Sequence, residues 1–201
     1  MLKLDDCKFV FFSAGLIGIL VFASPTLSLV WHWPGGEKFS ELYILGSEHM
    51  AGGYPHNVKA GESYSVYVGV GNHMGSSAYY TVYVKFRNQS EPLPNSASGT
   101  PSPLPPLYEY RMLLQDGKSW ETSLTFSFSK VSFFNNQSLV GSVTVNNVTY
   151  EVDKSALWDA KNRGYCYQLF IELWIYTKIT PLVYAIQYHN RFVNLSLNMT
   201  G

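Results

Sequence analysis

From Phe9 through Gly36 the chain carries no Lys, Arg, Asp or Glu. A stretch of that length can cross the roughly 30 Å hydrocarbon core of a bilayer. The missing charge makes residues 1–36 a membrane anchor or signal segment and leaves 37–201 as one external domain of ordinary size. Cysteine is nearly absent as well. Cys7 precedes the uncharged stretch and Cys166 follows it; if that stretch spans a bilayer they lie on opposite sides, so an intramolecular disulfide is not expected, and Cys166 is expected as a small core residue. Charged residues make up 14% of the chain against 16% aromatics, with 14 Lys and Arg balancing 14 Asp and Glu. No concentrated positive surface is available, so nucleic acid is not expected as a partner.

The signatures of catalysis are missing too. The histidines at 32, 49, 56, 73 and 189 show no HxH or HxxxH spacing, and Cys166 has no neighbouring sulfur, so no metal is expected. Glu41, Glu48 and Glu62 have nothing to bring two carboxylates to glycosidase separation. No G-x-S-x-G, P-loop or dinucleotide fingerprint occurs. No catalytic residue and no cofactor is assigned, and the expected function is non-enzymatic; a carbohydrate-active enzyme is the remote alternative.

What is present begins with the apolar heart Phe9–Ala23, preceded by Lys3 and Lys8 and followed by Trp31 and Trp33. Flanking lysines put the N-terminus inside, and interfacial tryptophans suit a retained single-pass helix in the plasma membrane with the bulk of the chain extracellular. Val21-Phe22-Ala23 with Pro25 beyond it also resembles a signal-peptidase site, which would give a secreted protein.

Beyond the anchor the hydrophobic period is two. Residues 63–70 and 77–87 alternate as a pair of strands around a Gly- and Asn-containing turn at 71–76. Residues 91–107 hold six of the ten prolines and read as an extended loop that buries no core. Further strands are expected at 108–114, 120–128, 165–175, 183–188 and 192–198, with a hairpin over 143–152 turning at Asn146-Asn147. A helical reading of 157–163 yields to the strand pattern that follows. Eight or nine short strands predict an all-β antiparallel sandwich, with Val66, Val68, Val82, Val84, Leu124, Phe126, Leu169, Ile171, Leu195 and Leu197 buried.

Five Asn-X-Ser/Thr triplets, at Asn88, Asn136, Asn147, Asn194 and Asn198, exceed the roughly two that this composition gives by chance. They are glycosylation candidates if the domain is external, each expected in a turn or on an outward strand face. Asn72-His73 sits in the first hairpin loop, where it is either a recognition tip or a pair that fixes the turn by hydrogen bonds to its backbone. Tyr79, Tyr80, Tyr83, Tyr108 and Tyr110 form either a sugar- or protein-binding face or ordinary half-buried sheet residues.

The run from Ser40 to Phe86, with its ELYILG opening, the YPHNVKAGE turn and the VGVGNH hairpin, resembles the membrane-associated archaeal family called domain of unknown function 1616. LLQDGKSWETSLTFSF and the closing LFIELWIY and RFVNLSLNMT extend the likeness over about residues 39–200, the external C-terminal part of that family. The single hydrophobic segment departs from the several that members often carry. The resemblance implies immunoglobulin-like topology and an archaeal cell-envelope location, and transfers no activity. The expected partners are the membrane, through the N-terminal helix, and an envelope protein or glycan. A structural subunit of a larger membrane complex or surface assembly is the alternative.

Overall fold

The computed structural model describes residues 8–19, 22 and 37–200. Residues 8–19 form a helix. Residue 22 is helical as well, and no helix among the described residues is long and apolar enough to cross a membrane. The remainder of the expected anchor or signal, including Trp31 and Trp33, lies outside the described residues, as does Cys7.

The second unit, Phe39–Gly201, is all-β. Its strands are β1 (Phe39–Leu45), β2 (Asn57–Val58), β3 (Ser63–His73), β4 (Ala78–Asn88), β5 (Tyr108–Leu114), β6 (Lys118–Phe134), β7 (Gln137–Val145), β8 (Val148–Asp159), β9 (Gly164–Thr180) and β10 (Val183–Met199). Two separate sheets are expected from the pattern; the strands instead follow one hydrogen-bonded path, β1-β3-β6-β7-β8-β9-β10-β2, with β4 attached to β9 and β5 to β4. The junction is short. β8 meets β9 only through Trp158↔Tyr165 and Asp159↔Gly164, so the path bends there and divides the sheet into a first half (β1, β3, β6, β7, β8) and a second half (β5, β4, β9, β10, β2). All pairs are antiparallel except β10 with β2.

The inner faces of the halves meet in a single core. Val66, Val68 and Val70 of β3 and Leu124, Phe126 and Phe128 of β6 lie against Tyr80, Val82, Val84 and Phe86 of β4 and Leu169, Ile171 and Leu173 of β9, all buried. Phe86 and Phe128 bring the halves together at 5.6 Å between ring centroids. Each of the ten residues expected in the core is there, because period-two alternation assigns a face once the strand is recognised.

Several boundaries differ from expectation. A hairpin not foreseen joins β6 to β7 through Asn135-Asn136, whose φ values of 46° and 60° are those of a type I′ turn. Its alternation is interrupted at Lys130 without a change of register. Lys130 has φ 53°, and the residue opposite it is Gly141, where a Cβ would fall 2.8 Å from the Lys130 Cβ. Residues 183–188 and 192–198 fuse into β10, which absorbs His189-Asn190-Arg191 as a register shift with Asn190 at φ 55°. The Asn146-Asn147 turn is as expected, with φ 46° and 66°.

The Pro-rich loop departs most. It does not stay clear of the core but lies over the outer face of the second half, where Pro94 and Ser102 are buried.

Candidate functional site

Three polar constellations come together in the folded domain. The first contains the hairpin residues singled out in sequence. Asn72 is fully buried, not exposed at a tip, and its carboxamide is committed to structure. Nδ2 donates to the carbonyls of Ser76 and Leu114, both at 2.9 Å, and Oδ1 accepts from the Met74 amide at 3.1 Å and the Tyr80 hydroxyl at 3.0 Å. His73 is half-buried, stacked on Phe39 at 4.7 Å, with Nε2 3.6 Å from Glu41 Oε1.

Behind Asn72 the structure assembles a Ser–His contact that sequence separation conceals. Ser40 Oγ lies 2.6 Å from the Tyr80 hydroxyl and 3.0 Å from His189 Nε2. The two carbonyls fix the Asn72 amide, so Tyr80 must donate to Asn72, Ser40 to Tyr80, and His189 Nε2–H to Ser40. Burial lowers the His189 pKa, with Arg191 adding to the effect. The serine proton thus points away from the imidazole, and Ser40 is wholly buried. This relay cannot activate a nucleophile; it ties β1, β3, β4 and β10 together.

The second constellation is an ion pair under the Pro-rich loop. Lys85 Nζ lies 2.9 Å from Glu172 Oε2, with side-chain exposures of 4% and 0%. The remaining valences are met locally: the Ser102 amide donates to Glu172 Oε1 at 2.7 Å, Trp174 Nε1 to Oε2 at 3.0 Å, and Lys85 to the Ser102 carbonyl at 2.8 Å. Lys154 and Glu91 make a second ion pair at the start of the loop. The loop backbone completes the coordination of a charge pair that the sheet alone would leave in water.

The third is a cavity of about 290 Å³ lined by His56, Arg87, Asp159, Cys166, Gln168 and their neighbours. Arg87 is buried and spends Nε and Nη2 on the carbonyls of Asn88 and Gln89, and burial lowers its pKa. Gln168 Oε1 is buried without a protein partner. Cys166 is half-buried on this wall, not in the core as expected. Burial raises the pKa of its thiol, which donates to Asp159 at 3.5 Å, so it is not a ready nucleophile. Among the described residues no group of three or more His, Cys, Asp or Glu is placed to hold a metal ion. Glu48 and Glu62 contribute to none of these constellations, and Glu41 enters only the first, through His73.

The sequon asparagines differ in accessibility. Asn136, Asn147 and Asn194 are exposed. Asn88 is half-buried in its own turn, with Nδ2 donating to the Ser155 carbonyl at 2.9 Å. Asn198 is only 3% exposed, and its Nδ2 is held by Asn57 Oδ1 at 3.0 Å and the Asn162 carbonyl at 3.2 Å. The expected outward placement fails at Asn198 because β2 and the β8–β9 turn cover that end of β10. Among the tyrosines, Tyr80 is buried, Tyr83 packs edge-on against Trp174, and Tyr110 sits between Tyr108 and Trp120 with its pKa raised to about 12 by burial.

The fold and these sites define an all-β domain with polar clasps in its interior and a small polar cavity at one end. Residues 34–137, slightly more than half of the chain, match the family described as domain of unknown function (DUF1616), and the chain belongs to that family. No curated protein matches the sequence. Among solved structures, a chain of the complex between zinc 2-glycoprotein and prolactin inducible protein from human seminal plasma aligns at 9% identity and TM-score 0.35, covering 83% of this chain and 99% of that one. A mutant beta-glucosidase from Listeria innocua in complex with laminaribiose aligns at 11% identity and TM-score 0.36, covering 82% of this chain and 16% of the enzyme. Neither likeness bears on function.

Proposed function

We propose that the chain is a membrane-anchored, N-glycosylated archaeal cell-envelope protein whose external domain is a non-enzymatic, immunoglobulin-like module making protein or glycan contacts. The observation that carries this reading is the order of the chain: an uncharged Phe9–Gly36 stretch followed by a β-domain with an excess of sequons. The exposed Asn136, Asn147 and Asn194 are the acceptors in this reading, whereas the amide nitrogens of Asn88 and Asn198 already donate within the fold. Part of the Asn excess has a backbone cause, since Asn136 and Asn147 each occupy a positive-φ turn position that favours Asn. Asn194 lies in a regular strand and has no such cause. Protease added to intact cells should digest residues 40–201, and mass spectrometry of the purified protein should find glycan on Asn194 and none on Asn198. An untouched domain with bare sequons would overturn the external placement.

A second reading, a structural subunit, is favoured by free sheet edges: among the described residues β1 pairs only with β3, and β5 only with β4. Light scattering of the detergent-extracted protein separates the two, because a monomer at all concentrations removes assembly through these edges.

A further inference from the structure

One end of the domain carries an apolar projection that the core does not need. β4 accompanies β9 only as far as Tyr80↔Ile175; beyond it β9 continues to Thr180 with β10 as its ladder partner. At about 3.3 Å per residue those five residues carry the hairpin about 17 Å past the Tyr80 row. Its side chains are banded. Tyr176 and Tyr184 stack at 5.7 Å, and Tyr79 meets Tyr176 edge-on at 6.4 Å, with the exposed Leu113 opposite Tyr79 on β5. Beyond this row stand Ile179, Val183 and Leu182, the last 93% exposed. Between Leu173 and Asn190 the sequence has no carboxylate and one charge, Lys178.

The domain's first strand begins at this same end. Phe39, the first residue of β1, pairs with His73 at the β3–β4 turn, and that turn is bonded to the β5–β6 turn through Gly75 N and Asp116. An aromatic row below an aliphatic tip, with a long cationic side chain able to reach back to the surface, is the side-chain order found at a membrane interface.

We propose that the tip of the β9–β10 hairpin, Tyr176–Tyr184, dips into the lipid bilayer and gives the domain a second membrane contact besides the N-terminal segment. Tyrosines lie at headgroup depth, Ile179, Leu182 and Val183 enter the acyl boundary, and Lys178 meets anionic headgroups. The proposal rests on the reading that residues 9–36 hold the chain at a membrane, and the experiment separates the two.

The full chain, carrying a protease site between Gly35 and Gly36, is reconstituted with vesicles of phosphatidylcholine and phosphatidylglycerol in equal parts. Sedimentation of the uncut chain reads the anchor. After the cut, the freed domain is washed and offered fresh vesicles, which reads the hairpin alone whether or not the anchor holds. The expected result is partition of the cut domain onto vesicles, reduced about tenfold or more in L182D/V183D, with an unchanged melting temperature because both side chains are exposed. A cut domain that stays in solution would overturn the proposal. So would equal partition of the variant, or an apolar tip occupied instead by a second copy, seen as a concentration-dependent dimer that the variant loses.

Discussion

The two halves of the curled sheet share one core and differ in what covers their outer faces. On the first half these outward residues are polar and at least partly exposed: Ser65 and Tyr67 on β3, and Glu121, Ser123, Thr125 and Ser127 on β6, with His49 stacked on Tyr67 at 3.7 Å and bonded to Glu121 at 2.8 Å. On the second half the outward positions of β4 and β9 include Thr81, Lys85, Arg87, Phe170 and Glu172, all buried. The Pro-rich loop makes the difference. Strand alternation says which residues leave the core, but whether they meet water depends on a segment that itself has no period.

Breaking the part the halves share has the largest effect. Val68→Asp places an unpaired charge between them and should leave no cooperative unfolding transition and no near-UV circular dichroism. Next comes the covered outer face. Glu172→Ala strands the Lys85 ammonium under the loop and should cost about 3–5 kcal/mol in urea denaturation, whereas Lys85→Met combined with Glu172→Leu should recover most of that loss. The double variant sharpens the comparison, since it keeps the covering while removing the charges.

His189 tests the clasp between the halves. Its folded pKa is lowered from the ordinary 6.5, so below that value the unfolded state binds the extra proton more readily. The contribution is therefore fully present above about pH 6.5 and is lost as pH falls through the window beneath it. Wild-type stability should decline there, and His189→Gln should flatten the decline. The smallest effect belongs to the wet face: Glu121→Ala, which frees an exposed His49, should change stability by under about 1 kcal/mol.

Most strands were legible because β3, β4 and β6 alternate cleanly and Asn146-Asn147 is a turn with its own chemistry. The β6–β7 hairpin was not, since the positive-φ residue Lys130 interrupts the burial pattern just where the alternation would have continued. The site residues were less legible for a different reason. Asn72 in a Gly-rich turn carries the same local signal whether its amide faces solvent or anchors Tyr80, and only the Leu114 carbonyl, supplied by another strand, decides it. Ser40 and His189 form a pair across 149 positions, and no motif spacing announces such a contact. Lys85 and Glu172 read as solvent-facing members of two strands. The loop that buries them displays only its prolines, and composition does not say that its backbone can serve as a ligand.

The pairing of β4 with β9 also sets an order in time. Phe86 lies opposite Leu169, so the central ladder of the second half waits for a long intervening stretch of chain, whereas β6, β7 and β8 are successive hairpins that can close as each leaves the ribosome or translocon. Until β9 arrives, β4 is an apolar strand with one neighbour, and Lys85 is a solvated cation that keeps it from pairing with the wrong edge. A charge that is paired and covered in the finished domain is thus suited to act as a gatekeeper during its making.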